Sequence, residues 1–134
     1  MPDADFLKNP YFKNPERAPY ELGHLLMKLP ANLGMAPVVD DAHMQMAAAA
    51  GDHASEACRS LLSGLEAVGQ LMEIAGVNGD EEISSHTLLC LGELVRHLAV
   101  EGQFLRETAD RMEIATRSYR QDQLKRMKGD GDVR

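Results

Sequence analysis

The chain has 134 residues, of which 44% are hydrophobic and 26% charged, a composition typical of one domain with a packed core. It carries a net charge of −7, and because nucleic-acid affinity comes mainly from neutralising phosphates, we expect no direct binding to nucleic acid. The sequence contains no apolar run of about 18 residues, so we also expect no membrane span.

An arm rich in aromatic residues and prolines opens the chain. Residues 6–10 read Phe-Leu-Lys-Asn-Pro and residues 11–15 read Tyr-Phe-Lys-Asn-Pro, which makes a near repeat. Each Asn-Pro step disfavours helix, so we predict an extended arm over residues 1–19. Four of the six aromatic residues lie in the first twenty positions: Phe6, Tyr11, Phe12 and Tyr20. We predict that these four bind a partner surface, which is the body of the same chain, a second subunit or another protein.

The cellular compartment is inferred from the start of the chain and from the cysteines. The first five residues, Met-Pro-Asp-Ala-Asp, lack the apolar stretch of a secretory signal. Two cysteines, Cys58 and Cys90, are too few for a disulfide scaffold and suit a reducing compartment. We therefore expect a cytoplasmic protein.

The prolines divide the chain into a first segment that contains all of them and a remainder that we predict to be helical. All six prolines lie at or before Pro37, and because proline breaks helix interiors, the remainder favours long helices. We predict a helical domain over residues 20–128 and a disordered tail over residues 129–134. A short helix is predicted at 20–29, where an apolar face is formed by Tyr20, Leu22, Leu25, Leu26 and Leu29.

Two long helices are predicted after the prolines, at about 40–75 and 84–126. Asp40 or Asp41 is expected to cap the first helix, and Ser84 or Ser85 the second. The first helix should end at Gly76-Val77-Asn78-Gly79, with a possible break near Gly51. In both helices uncharged residues recur at alternating spacings of three and four, the spacing of a seam between two packed helices. The seam of the first helix is formed by Met44, Ala47, Gly51, Ala54, Cys58, Leu61, Leu65, Val68, Met72 and Ala75. The seam of the second helix is formed by Leu88, Leu91, Val95, Leu98, Gly102, Leu105, Ala109, Met112, Thr116 and Tyr119.

The short connection between the long helices predicts an all-α antiparallel hairpin. Pairing the two seams about the turn places Cys58 opposite Gly102 and Gly51 opposite Ala109, which excludes a disulfide between Cys58 and Cys90. The acidic start of the first helix should then lie beside Arg117 and Arg120.

The apolar face near the turn is wider than one seam. Six large apolar residues fall outside the seams: Leu62, Leu71, Ile74, Ile83, Leu89 and Leu94. A third element should cover them, because a two-helix hairpin cannot bury them. We predict either a three-helix bundle, completed by the short N-terminal helix, or a dimeric four-helix bundle formed with a second copy.

One stripe of residues has the chemistry of metal ligands. His86, Cys90, Glu93 and His97 are spaced four, three and four residues apart, so they share one helix face. His86 and His97 are about 16 Å apart along a helix, so they cannot bind one ion. A closed site would need further ligands, for which no second cluster has suitable spacing. We therefore predict no metal site, with these four residues as the candidates if one exists.

The sequence also offers two carboxylate–imidazole neighbours, Asp40 with His43 and Asp52 with His53. Neither comes with a nucleophile activated by a defined neighbour. A glycine-rich phosphate-binding loop is absent from the sequence as well. We therefore expect no catalytic residues, no enzyme activity and no cofactor.

The sequence as a whole indicates a non-enzymatic helical protein–protein interaction or adaptor module. We predict a homodimer that also binds an unidentified protein partner, without a membrane or direct nucleic-acid contact. One alternative is a small acidic inhibitor, because nine acidic residues and Arg59 give residues 40–82 a net charge of −8. Its acidic helix would occupy a basic surface of a target, such as a nucleic-acid-binding surface. A second alternative is a helical bundle that binds a metal or small ligand.

Overall fold

The computed structural model describes residues 9–31, 40–79 and 83–129. A short 3₁₀ turn at Pro15–Arg17 leads into α1 (Ala18–Lys28), which is followed by α2 (Asp41–Val77) and α3 (Ser85–Gly129). The described ranges contain no β-strand. Helices α2 and α3 pack against each other, and α1 packs on α2. The predicted all-α fold with a long helical hairpin is therefore confirmed.

Both ends of α2 lie where the sequence predicts, with Asp40 as the N-cap and Asn78 as the C-cap. The Asp40 side chain accepts a hydrogen bond from the His43 backbone N–H at 2.8 Å, which satisfies one of the free amides of the first turn. This bond also lowers the pKa of Asp40. At the other end the Asn78 backbone N–H donates to the Ile74 carbonyl. The helix runs without interruption through Gly51.

Helix α3 begins beside Ser84, whose Oγ accepts a hydrogen bond from the Thr87 backbone N–H at 3.1 Å. This confirms the predicted cap. The helix continues to Gly129, three residues beyond the predicted end near Arg126. The rest of the predicted tail, residues 130–134, lies outside the described residues.

Two contacts confirm the predicted register of the hairpin. Cys58 Sγ lies 4.0 Å from the Gly102 carbonyl oxygen. A Cβ added to Gly51 would lie 3.2 Å from the Met112 Cβ and 3.9 Å from the Ala109 carbonyl oxygen, so glycine allows the helices to approach closely at this level. Cys58 is therefore opposite a residue twelve positions from Cys90, about 18 Å along the helix, and both thiols are free.

The ionic contacts predicted at the far end of the hairpin are wrong. Among the described residues Arg117 pairs with Glu113, one turn earlier in its own helix, and Arg120 forms no salt bridge across the hairpin. Asp41 instead accepts a hydrogen bond from the Tyr119 hydroxyl, which raises the pKa of Tyr119. The reason is that Tyr119 lies on the buried side of α3, whereas the arginines point to solvent.

Helix α1 covers only one end of the hairpin, which we call the base. Its 11 residues span about 17 Å, whereas the 37 residues of α2 span about 55 Å. The base holds the hydrophobic core, to which α2 contributes only alanines. The core residues are Ala18, Leu22, Leu25, Leu29, Ala47, Ala49, Ala50, Ala54, Ala57, Leu105, Met112 and Ala115. Among the described residues, no helix has both the length and the apolar character needed to cross a membrane.

Candidate interaction surface

The other end of the hairpin, which we call the tip, carries large apolar side chains in contact with solvent. We define the tip as residues 62–79 and 83–104. Twelve of its large hydrophobic residues are between 38% and 86% exposed: Leu62, Leu71, Met72, Ile74, Val77, Ile83, Leu88, Leu89, Leu94, Val95, Val100 and Phe104. These twelve form the tip surface. A single soluble chain rarely exposes apolar area on this scale unless it binds something.

All six residues that the sequence placed outside the seams, from Leu62 to Leu94, belong to the tip surface. The sequence was wrong about Met72, Leu88 and Val95, which it placed inside the seam but which are 38–49% exposed. Two helices packed side by side bury only a narrow strip, so seam residues stay partly open where no third helix covers them. Val100 and Phe104 also lie outside both seams and are exposed, but they were not singled out from the sequence.

Part of the tip surface, which includes Leu71 and Leu94, continues the face that is buried at the base. Residues eleven apart lie three helical turns apart on one face. In α2, Leu71 is twice eleven residues after Ala49 and therefore lies on nearly the same face. Ala49 is 0% exposed. In α3, Leu94 likewise shares its face with Leu105, which is 2% exposed. The same groove is thus filled at the base and open at the tip.

Charged groups of the tip are mostly carboxylates. Within the described residues the tip carries four of them, Glu66, Glu73, Glu93 and Glu101, against one arginine, Arg96. Glu66 and Glu73 lie about 140–160° around α2 from Leu71 at 3.6 residues per turn. These two carboxylates therefore stand away from the open groove.

The four candidate metal ligands lie in the exposed part of α3. His86 Nε2 and Cys90 Sγ approach to 3.7 Å, as their spacing predicts. Glu93 and His97 follow one and two turns later. Among the described residues, no group of three or more histidine, cysteine, aspartate or glutamate side chains is placed to hold a metal ion.

The described part of the arm packs on the chain's own core. The Asn9 side-chain amide donates to the Gln45 carbonyl at 2.7 Å, which fixes the arm against α2. Tyr11 and Phe12 are half-buried against the core cluster. Phe6, the first of the four predicted partner-binding residues, lies outside the described residues. Of the four, Tyr11 and Phe12 are thus engaged within the chain.

Tyr20, the fourth, does not belong to the buried face of α1 as the sequence predicted. It is 58% exposed, and its ring lies 4.6 Å from that of His24 in an edge-on arrangement. The Arg17 guanidinium lies over the same ring at 4.7 Å. The face of α1 that packs on α2 is instead the one that carries Leu22 and Leu25, and Tyr20 remains available to another molecule.

Phe12 covers a buried histidine. The rings of Phe12 and His53 are 4.6 Å apart at an angle of 40°. His53 is 0% exposed, and neither ring nitrogen has a hydrogen-bond partner among the described residues. Burial lowers the pKa of His53, and the opposing effects of Glu21, Asp52 and the Tyr11 backbone do not cancel that shift. His53 is therefore neutral near pH 7.

The two carboxylate–imidazole neighbours have different roles from those of a catalytic pair. The His43 ring lies 2.5 Å from the Asp40 carboxylate within the cap of α2. His53 forms no hydrogen bond with Asp52 and packs beneath the arm. The sequence contained a signal for this burial, since His53 is four residues from both Ala49 and Ala57 on the face that packs inward.

Comparison of the chain with models of known protein families, with curated protein sequences and with solved structures finds no significant match. The function is therefore inferred from the geometry of the tip surface.

Proposed function

We propose that this protein is a non-enzymatic helical interaction module that associates with itself through the tip surface. The observation that supports the proposal is the contrast between the two ends of one hairpin. The base buries a core of apolar side chains and exposes five large ones, whereas the tip exposes twelve. Burial of apolar area is the main driving force of association, at about 25 cal/mol per Å².

The rest of the molecule is consistent with a protein that acts by contact. Two long helices hold the tip away from the base, and Tyr20 offers a second exposed aromatic side chain beside Arg17. We assign the protein to the cytoplasm, where reducing conditions suit two free cysteines on different levels of the hairpin. A further protein partner would bind outside the self-associating surface.

A second candidate is the acidic inhibitor, which is favoured by the exposed carboxylates Asp52, Glu66 and Glu73 along α2. The two functions differ in their response to salt. Association through apolar side chains changes little when sodium chloride rises from 50 to about 500 mM, whereas binding of an acidic helix to a basic surface weakens steeply as charges are screened.

Sedimentation velocity of the purified chain over a range of concentrations tests the proposal. A chain of 14.7 kDa should approach a mass of 29.4 kDa, twice that value, as its concentration rises. The mass should be the same at low and high salt. A constant mass of 14.7 kDa at millimolar concentration would reject self-association.

A further inference from the structure

Helix α1 shows what kind of element the groove between α2 and α3 accepts. Ala18, at the start of α1, lies beside Ala57 and Leu105, and Leu29, just after its end, lies beside Met112. A helix therefore lies along this groove at the base. Beyond the start of α1 the same groove continues between Leu71 and Leu94, where small residues such as Gly64 leave open space. The open half has the shape and the apolar lining to pack helices.

The parts of this sequence outside the described residues cannot fill the centre of the open groove. Residues 1–8 join the arm at Asn9, which is fixed to Gln45. Gly69, near the middle of the tip, is 24 positions after Gln45, about 36 Å along the helix, whereas eight extended residues span at most about 29 Å. Residues 32–39 connect two points at the base, and residues 130–134 follow the opposite end of α3. Residues 80–82 join Gly79 to Ile83, and Gly79 is ten positions after Gly69, about 15 Å along the helix.

We propose that the occupant is the tip of a second copy of this chain. This inference rests on the proposed self-association and specifies its geometry. The two hairpins lie antiparallel, tip overlapping tip, so that the open groove of each receives the helices of the other. The overlap runs from Leu62 to Val77, about 24 Å of helix. The 3₁₀ turn at Pro15–Arg17 and the start of α1 close the groove near Ala57 and limit how far the second hairpin slides.

The available area matches what a stable dimer needs. A standard interface buries about 800 Å² on each partner. If half of the twelve exposed apolar side chains face the partner and each presents roughly 100 Å², they supply about three quarters of that area. Backbone and polar atoms at the edge of the groove supply the rest.

The carboxylates near the groove do not oppose a second copy. Glu101 shares the face of Leu94 but lies at the level of Ala57, outside the overlap. Glu66 and Glu73 stand away from the groove, so two identical tips can meet without placing these carboxylates face to face. A basic partner would instead be drawn to the acidic outer face of α2. The groove itself is apolar, and an α-helix is the element that it already accepts at the base.

Sedimentation equilibrium of the full chain and three variants tests the site. Leu71→Lys and Leu94→Lys each place a charge in the groove, from α2 and α3 respectively, and each should raise the dimer dissociation constant at least tenfold. Leu124→Lys is the matched control, because Leu124 is 58% exposed, close to the 65% of Leu71, but lies at the far end of α3. The control should dimerise like the natural chain. Circular dichroism confirms that each variant keeps its helices.

The outcomes separate the site from the proposed function. If the natural chain dimerises and both groove variants dimerise equally well, the tip groove is not the interface, but self-association stands. If the natural chain stays monomeric, both proposals fail. If Leu124→Lys is as disruptive as Leu71→Lys, the interface is not confined to the tip and the assigned geometry is overturned.

Distances between spin labels test the antiparallel overlap. Cys90 lies near the middle of the tip, so labels on Cys90 in a Cys58→Ser background should lie within about 30 Å of each other in the dimer. Labels on Ser118→Cys, in a chain that also carries Cys58→Ser and Cys90→Ser, should be about 80 Å apart, since Ser118 is 28 residues along α3 from Cys90. A short distance between labels at position 118 would overturn the tip-to-tip arrangement.

Discussion

His53→Leu is expected to stabilise the protein, although it removes a fully buried side chain from the core. His53 is 0% exposed, and both ring nitrogens lack a hydrogen-bond partner among the described residues. A buried polar group without a partner destabilises the folded state by about 1–3 kcal/mol. Leucine has a similar volume and carries no polar atom, so it removes this penalty.

The loss of the aromatic contact works in the opposite direction. The Phe12 ring packs on His53 at 4.6 Å, and contacts of this kind contribute about 0.5–1.5 kcal/mol beyond burial. Removing the unpartnered polar group stabilises the protein more than losing the aromatic contact destabilises it. We therefore expect the free energy of unfolding to rise by roughly 1 kcal/mol at pH 7.5. His24→Leu is the matched control, because His24 is exposed on α1 and should change stability by no more than about 0.5 kcal/mol.

The pH dependence gives a second measurement of the same effect. Because the pKa of His53 is lowered from its ordinary value of 6.5 in the folded state, the unfolded chain binds a proton below pH 6.5 that the folded chain does not. The natural chain should therefore lose stability as the pH falls below 6.5. His53→Leu lacks this titration, so its stability should fall less over the same range.

Urea unfolding followed by circular dichroism at pH 7.5 and 5.5 measures both effects. The difference between His53→Leu and the natural chain should be larger at pH 5.5 than at pH 7.5. The reasoning is refuted if the variant is less stable than the natural chain at pH 7.5, or if the difference between them is the same at both pH values.

Three further predictions concern the stability of the fold, each measured by urea unfolding at a concentration where the chain is monomeric. Leu22→Ala, in the core at 2% exposure, should destabilise the protein by about 2–5 kcal/mol, whereas Met27→Ala on the exposed face of the same helix should be close to neutral. Ser84→Ala removes the cap of α3 and should lower stability by about 1 kcal/mol, while Ser85→Ala, one residue later, should not. Gly51→Leu forces a side chain into the close contact with α3 and should destabilise by about 1–3 kcal/mol; a stability equal to that of the natural chain would show that α3 moves aside freely at this level.

Local features of the sequence determined the helices and the register of the hairpin. Asp40 and Ser84 mark the helix starts because their side chains accept hydrogen bonds from free amides nearby in the chain. The alternating spacing of uncharged residues fixed which faces of α2 and α3 meet. Cys58 therefore lies opposite Gly102, as the spacing alone predicts.

The spacing of uncharged residues did not predict the other contacts between residues that are distant in the sequence. The sequence placed Arg117 beside the start of α2, but a residue one turn away in its own helix provides a nearer partner. It also placed Tyr20 on the buried face of α1 and assigned Leu88 and Val95 to a closed seam. Burial at Leu88 and Val95 depends on how far α1 reaches along the hairpin, and burial at Tyr20 depends on which face of α1 packs on α2.

The sequence by itself determined that the chain forms a helical hairpin, and that its apolar face near the turn is too wide for two helices to bury. Periodicity and capping are local properties, so both can be found along the chain. Only the tertiary structure decided how the face is shared: α1 and the arm cover the base, and the tip remains open. The reason is physical length, because an α1 of about 17 Å cannot cover a hairpin of about 55 Å.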